Sequence, residues 1–157
     1  ALLLNDSMLW ILGVTTAIIF SISILGSVIG KKIVRHKSPI GIYCILFILV
    51  YMLQVLLSMS TNILWFLGVF SLIYLLLGVL SVIGTYVLNK VAEDRVRTSM
   101  ISLSSFSLQA GGVLTNVFAA SLFLLGGIAF FWKVSALVGA VGMLTLAKPL
   151  LQRFPIS

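Results

Sequence analysis

The sequence predicts an all-α integral membrane protein, and three observations carry that reading. The chain is 61% hydrophobic and 8% charged, with three acidic residues among 157, far from the composition of a soluble domain. Five long apolar stretches run about Met8–Ile29, Pro39–Leu57, Ile63–Leu88, Met100–Leu125 and Ile128–Ala147. Each is close to the roughly 20 residues a helix needs to cross the hydrocarbon core of a bilayer. Backbone in lipid must satisfy its own hydrogen bonds, which leaves helices or a closed barrel. Barrel strands are about ten residues long and alternate in polarity; these stretches are longer and do not alternate, so the pattern selects helices.

The first stretch is a span and not a signal peptide. It lacks a basic leader, follows Asp6, and runs into Gly30 and Lys31 with no small-residue cleavage site. Ser38-Pro39 opens the second helix, with proline in the first turn where its missing N–H costs nothing. The polar turn Ser58–Asn62 makes the second and third spans antiparallel neighbours, and Gly126-Gly127 is the matching tight turn between the fourth and fifth. Pro149 and Pro155 are expected to end the last helix. No connection is long enough for a soluble domain, so residues 1–157 read as one transmembrane unit. The chain begins with Ala1 and not Met, and a fragment or processed product is expected.

Nine of the ten Lys and Arg residues fall in alternate gaps. Lys31, Lys32, Arg35 and Lys37 follow the first stretch; Lys90, Arg95 and Arg97 follow the third; Lys148 and Arg153 follow the fifth. The second gap carries no charge, and only Lys133 lies near the fourth. Cytoplasmic loops collect Lys and Arg, so the N-terminus is expected outside and the C-terminus in the cytoplasm, in the plasma membrane. Trp10, Trp65 and Trp132 all lie near the outer boundary that this topology defines, where amphipathic rings anchor. The net charge of +7 is then topology, and no nucleic-acid partner is expected. The lipid bilayer is the first partner, and the run Lys31–Lys37 lies within reach of anionic headgroups.

Enzyme chemistry is missing. The single histidine, His36, stands in a basic loop, and the single cysteine, Cys44, lies inside the second span. No His-based metal site or His-dependent triad can be assembled from these residues, and Gly111-Gly112 lacks the lysine of a phosphate loop. Asp6, Glu93 and Asp94 all sit at span boundaries, so the chain carries no intramembrane carboxylate of the kind that relays protons. Neither an enzyme nor a cofactor is expected.

What varies between the spans is the polarity of one face. Thr98, Ser102, Ser105, Gln109, Gly112 and Asn116 fall within a stripe of about 90° on the fourth span. Ser71, Tyr74, Gly78, Ser81, Thr85 and Asn89 form another on the third, and Thr16, Ser23, Ser27 and Gly30 a third on the first. The second span offers only Tyr51 and Gln54, and the fifth a small-residue face of Ser135, Gly139 and Gly142. Spans one, three and four are therefore expected inside and spans two and five against lipid. The serines, threonines and glycines read as packing residues. Tyr74, Gln109 and Asn116 read as the lining of a solute pathway, because an amide in mid-span needs partners that Leu and Val cannot supply.

The run Asn89-Lys90-Val91-Ala92-Glu93-Asp94-Arg95-Val96-Arg97-Thr98, leading into Ser102, Ser105 and Gln109-Ala110-Gly111-Gly112, resembles a specific loop and helix. They are those between the tenth and eleventh spans of major facilitator superfamily transporters. Gly26-Ser27-Val28-Ile29-Gly30-Lys31-Lys32-Ile33-Val34-Arg35 resembles the weaker copy of that family's glycine-and-basic loop, between spans eight and nine. The resemblance implies that the five helices are spans eight to twelve of a twelve-span secondary transporter. They would be part of a six-helix bundle, with the N-terminal half supplied upstream or by a separate chain. It places spans nine and twelve at the periphery.

Departures from the family pattern are plain. Gly30 stands where the basic loop carries Asp, and Ile33 where it carries its second Gly. The candidate cytoplasmic gating residues are Lys31, Lys32, Arg35, Glu93, Asp94 and Arg95, with Glu93 or Asp94 pairing with Arg95, Arg97 or a base on a neighbouring loop. The implied function is alternating-access transport of a small solute. The scarcity of charge favours a neutral, amphipathic or lipophilic one, as in drug efflux. The alternative is a five-span scaffold or degenerate transporter fragment, using the same stripes only for helix packing.

Overall fold

The computed structural model describes residues 9–35 and 39–153. They form four α-helices: α1 (Leu9–Ile33), α2 (Pro39–Ser58), α3 (Ile63–Val91) and α4 (Arg97–Arg153). Each is long and apolar enough to cross a bilayer, and the described residues contain no strand. The apolar helices mark a membrane-embedded protein. Asp6, His36, Lys37 and Pro155 lie outside the described residues.

Helix ends follow local chemistry. α2 starts at Pro39, as its fixed φ favours. Between α2 and α3 the Ser58 and Ser60 hydroxyls donate back to the carbonyls of Val55 and Leu57, at 2.6 and 2.8 Å. Asn62 then caps α3: its backbone is extended, and its Oδ1 accepts the Leu64 N–H at 2.8 Å, satisfying one of the orphan donors of the first turn. At their other ends α1 and α3 outrun the apolar stretches and take in Lys31, Lys32 and Lys90. Hydropathy fixes what lies in hydrocarbon, while the hydrogen-bond ladder continues until a cap stops it.

α4 takes in both the expected fourth and fifth helices, which meet at a kink. It runs 57 residues, which would be about 85 Å if straight, far beyond the ~30 Å of a bilayer core. It is interrupted at Gly127, whose φ of 71° and ψ of −171° are not helical. That combination is essentially restricted to glycine. The bend brings the Phe123 and Phe131 rings to 5.0 Å, although eight residues of straight helix would separate them by about 12 Å along the axis. Pro149, expected to end the last helix, instead lies within α4, which continues to Arg153. A membrane helix tolerates proline where the freed carbonyl finds another partner.

α3 is the centre of the fold. It packs along α1 on one side and α2 on another, and the part of α4 beyond Gly127 packs on α2. Val50, Leu53 and Leu57 of α2 interlock with Val69, Ile73, Leu76 and Leu80 of α3 in one buried cluster. Trp132 packs edge-on against Phe70 at 6.0 Å, and the Tyr51 ring lies against Gly139. The expected order of burial is corrected at two places. α2, expected against lipid, is held between α3 and α4, because its large apolar side chains have facing surfaces to fill. No residue of the segment 97–126, expected inside, is buried by the rest of the chain, whereas α3 buries Val69, Ile73, Leu76, Val79, Leu80 and Ile83.

Candidate functional site

The register of α1 on α3 builds a concavity at the C-terminal ends of the two helices. Gly26 faces Leu75, while Gly30 faces Val79 and Val82; both numbers rise together, so the helices run parallel. A methyl group on Gly26 would overlap the Leu75 carbonyl, and one on Gly78 would overlap the Ser23 carbonyl. Here glycine is required for backbone-to-backbone approach, the usual means by which membrane helices dock without a hydrophobic driving force. The Ser27 hydroxyl spans the crossing, 3.1 Å from the Ser23 carbonyl and 3.4 Å from that of Gly78.

Beyond this crossing the two helices part, leaving a groove of about 360 Å³ at their C-terminal ends. Lys31 and Val34 line it from α1, and Ser81, Val82, Thr85, Tyr86 and Asn89 from α3. Ser81, Thr85 and Asn89 share one face because they recur at every fourth residue. The Thr85 hydroxyl donates to the Ser81 carbonyl at 2.8 Å, and Asn89 Nδ2 to the Thr85 carbonyl at 2.9 Å. One Asn89 N–H is therefore committed and the other is left over. Among the described residues the Ser81 and Tyr86 hydroxyls have no hydrogen-bond partner.

The expected site residues fall into three separate places. Tyr74 is half-buried on α3 with its ring edge-on to Phe70 at 4.9 Å, so it takes part in an aromatic row. Gln109 and Asn116 are exposed on the uncovered part of α4, and among the described residues neither amide has a partner. Little of α4 touches α3, so the three candidates are not gathered into one cavity by this chain. Lys31, Lys32 and Arg35 are exposed at the end of α1, and of these only Lys31 enters the groove. Glu93, Asp94 and Arg95 are exposed between α3 and α4. Asp94 pairs with Arg97 at 2.7 Å, three residues on in the chain; an exposed pair of this kind is worth roughly 0–1 kcal/mol.

Sequence reasoning missed Tyr86 as a lining residue, and treated Lys31 apart from the stripe on the third span. The i,i+4 signal of Gly26 and Gly30 was legible, and so was the stripe. What joins them is the parallel register of α1 on α3, which neither helix announces alone. Against protein-family models, characterised proteins and solved structures, the chain finds no match.

Proposed function

We propose that this chain is part of a secondary transporter of the major facilitator type and moves a small neutral, amphipathic or lipophilic solute by alternating access. In this reading α4 contributes two spans separated at Gly127, giving five in all, with the N-terminus outside and the C-terminus in the cytoplasm of the plasma membrane. The reading rests on the resemblance of the Gly26–Arg35 and Asn89–Gly112 segments to the family's cytoplasmic loops. One structural observation supports it most. Ser102, Ser105, Gln109, Gly112 and Asn116 form a polar stripe that the rest of the chain leaves uncovered. Two amides facing hydrocarbon are costly, so the stripe calls for either a water-filled cavity or a further set of helices. A transporter half-bundle supplies both.

The test is solute movement in cells expressing the full gene product. A panel of lipophilic fluorescent dyes is followed with the wild type and with Gln109→Leu combined with Asn116→Leu. Loss of transport with unchanged membrane abundance is expected; transport at the wild-type rate removes these residues from the pathway.

The scaffold reading has its own specific observation. At Gly26 and Gly78 the small residues of the two stripes are taken up by helix packing. A protein that used all its stripes in this way would assemble with partner helices and show no transport of any dye.

A further inference from the structure

We infer that the groove between the C-terminal ends of α1 and α3 is a binding site for one anionic phospholipid, its phosphate held at Lys31. The inference requires only that the protein is embedded in a membrane, and it stands or falls apart from transport. Its first support is chemical. The groove brings together the Lys31 ammonium, the Ser81 and Tyr86 hydroxyls and the spare N–H of Asn89, all donors and all within one concavity. Phosphate oxygens are acceptors and carry charge, so beside the Lys31 ammonium this set favours a phosphodiester over a neutral carbonyl, and it repels an amine.

Charge is the second support. Two helix C-termini point toward this end of the molecule, and each carries the equivalent of about half a negative charge. Against them stand the full charges of Lys31, Lys32 and Arg35 on α1 and Lys90 on α3. The bases outweigh the dipoles, and the acidic residues Glu93 and Asp94 lie beyond the end of α3, with Asp94 tied to Arg97. Basic pockets between membrane helices are suited to anionic headgroups for this reason.

Apolar continuity is the third and separates a lipid from a free anion. Leu77 lies four residues before Ser81, and Val28 and Ile24 lie three and seven before Lys31, so they continue the two walls away from the basic end. All three are exposed. A headgroup seated at Lys31 would lay an acyl chain along this apolar track, whereas inorganic phosphate would leave it unused.

The full chain in mild detergent is titrated with short-chain phosphatidylglycerol, phosphatidylcholine and inorganic phosphate, and bound molecules are counted by native mass spectrometry. Phosphatidylglycerol is expected to bind roughly fivefold or more tightly than phosphatidylcholine, and Lys31→Gln to remove about that factor. Lys32→Gln is expected to change affinity less than about twofold, because an exposed charge outside the groove acts on the headgroup through solvent and salt. Tyr86→Phe serves as a second variant that leaves the charge intact, and it is expected to weaken both lipids alike, since each carries the phosphodiester that the hydroxyl would meet; unchanged binding of both overturns the placement of the phosphate in the groove. Equal retention of the two lipids overturns the site. So do equal losses in Lys31→Gln and Lys32→Gln, which would indicate diffuse surface charge. Inorganic phosphate that displaces the lipid at equal concentration would make it a free-anion site and overturn the lipid assignment.

Discussion

The α1–α3 pair and the first part of α4 are built from the same small and polar residue types and end in opposite situations. On α1 and α3, Gly26, Gly78, Ser23 and Ser27 are pressed together so closely that two of the positions admit no side chain. On α4, Gly111 and Gly112 have open space around them, and Ser102, Ser105, Gln109 and Asn116 are exposed. A stripe of small residues becomes a packing face only when a neighbouring helix presents a backbone it can meet. Without that neighbour the same stripe is polar surface awaiting a partner, whether solute, water or protein.

The strongest way to break this comparison is Gly78→Leu. The new side chain must displace the Ser23 backbone, and we expect α1 to detach from α3 with a loss of about 3 kcal/mol, read as a lower midpoint in thermal unfolding. Stability like that of the wild type would mean that the close approach is dispensable. Next in size is Gly127→Ala. Nothing lies within 4 Å of an added methyl group there, so the cost is purely conformational, about 2 kcal/mol. Enhanced protease cleavage near residue 127 would report it.

Gln109→Leu with Asn116→Leu sharpens the contrast from the other side. Neither residue is covered by this chain, so its unfolding should change by less than about 0.5 kcal/mol even where transport is lost. A destabilisation as large as that of Gly78→Leu would mean the stripe is a packing face after all. Asp94→Asn is expected to do least. The pair with Arg97 is exposed, with 44% and 91% of the side chains accessible, and its loss should cost no more than about 0.5 kcal/mol and be undetectable at high salt.

Much of the fold could be read from local signals. Pro39, the Ser58–Asn62 turn and the apolar runs mark helix starts and the α2–α3 connection to within a few residues, because caps, proline geometry and hydropathy act over short distances. Gly127 was legible as a break between two helices, and it is where α4 is interrupted. Pro149 was misread because a single proline near the end of a membrane helix removes only one hydrogen bond. The groove was half legible: Lys31, Ser81, Thr85 and Asn89 were each singled out, while Tyr86 was not. Only the register of α1 against α3 places them together.

The order of burial was only partly legible from polarity, which placed α3 inside, where it is the most buried helix. The polar face of the fourth apolar stretch looked interior and is uncovered, while α2, nearly devoid of polar residues, is held between α3 and α4. Polarity describes what a helix face would rather avoid, whereas packing is decided by whether two faces have matching shapes.

The sequence by itself determined that the chain is helical and membrane-embedded, where its basic ends lie, and which faces are small or polar. These follow from the cost of unpaired backbone in lipid and from side-chain periodicity, both properties of a single segment. Tertiary structure alone decided that Gly26 meets Leu75 and Gly78 meets Ser23, that Lys31 lines one groove with Ser81 and Thr85, and that residues 97–126 remain uncovered. Those are relations between segments, set by steric fit between helices, and no one-dimensional pattern contains them.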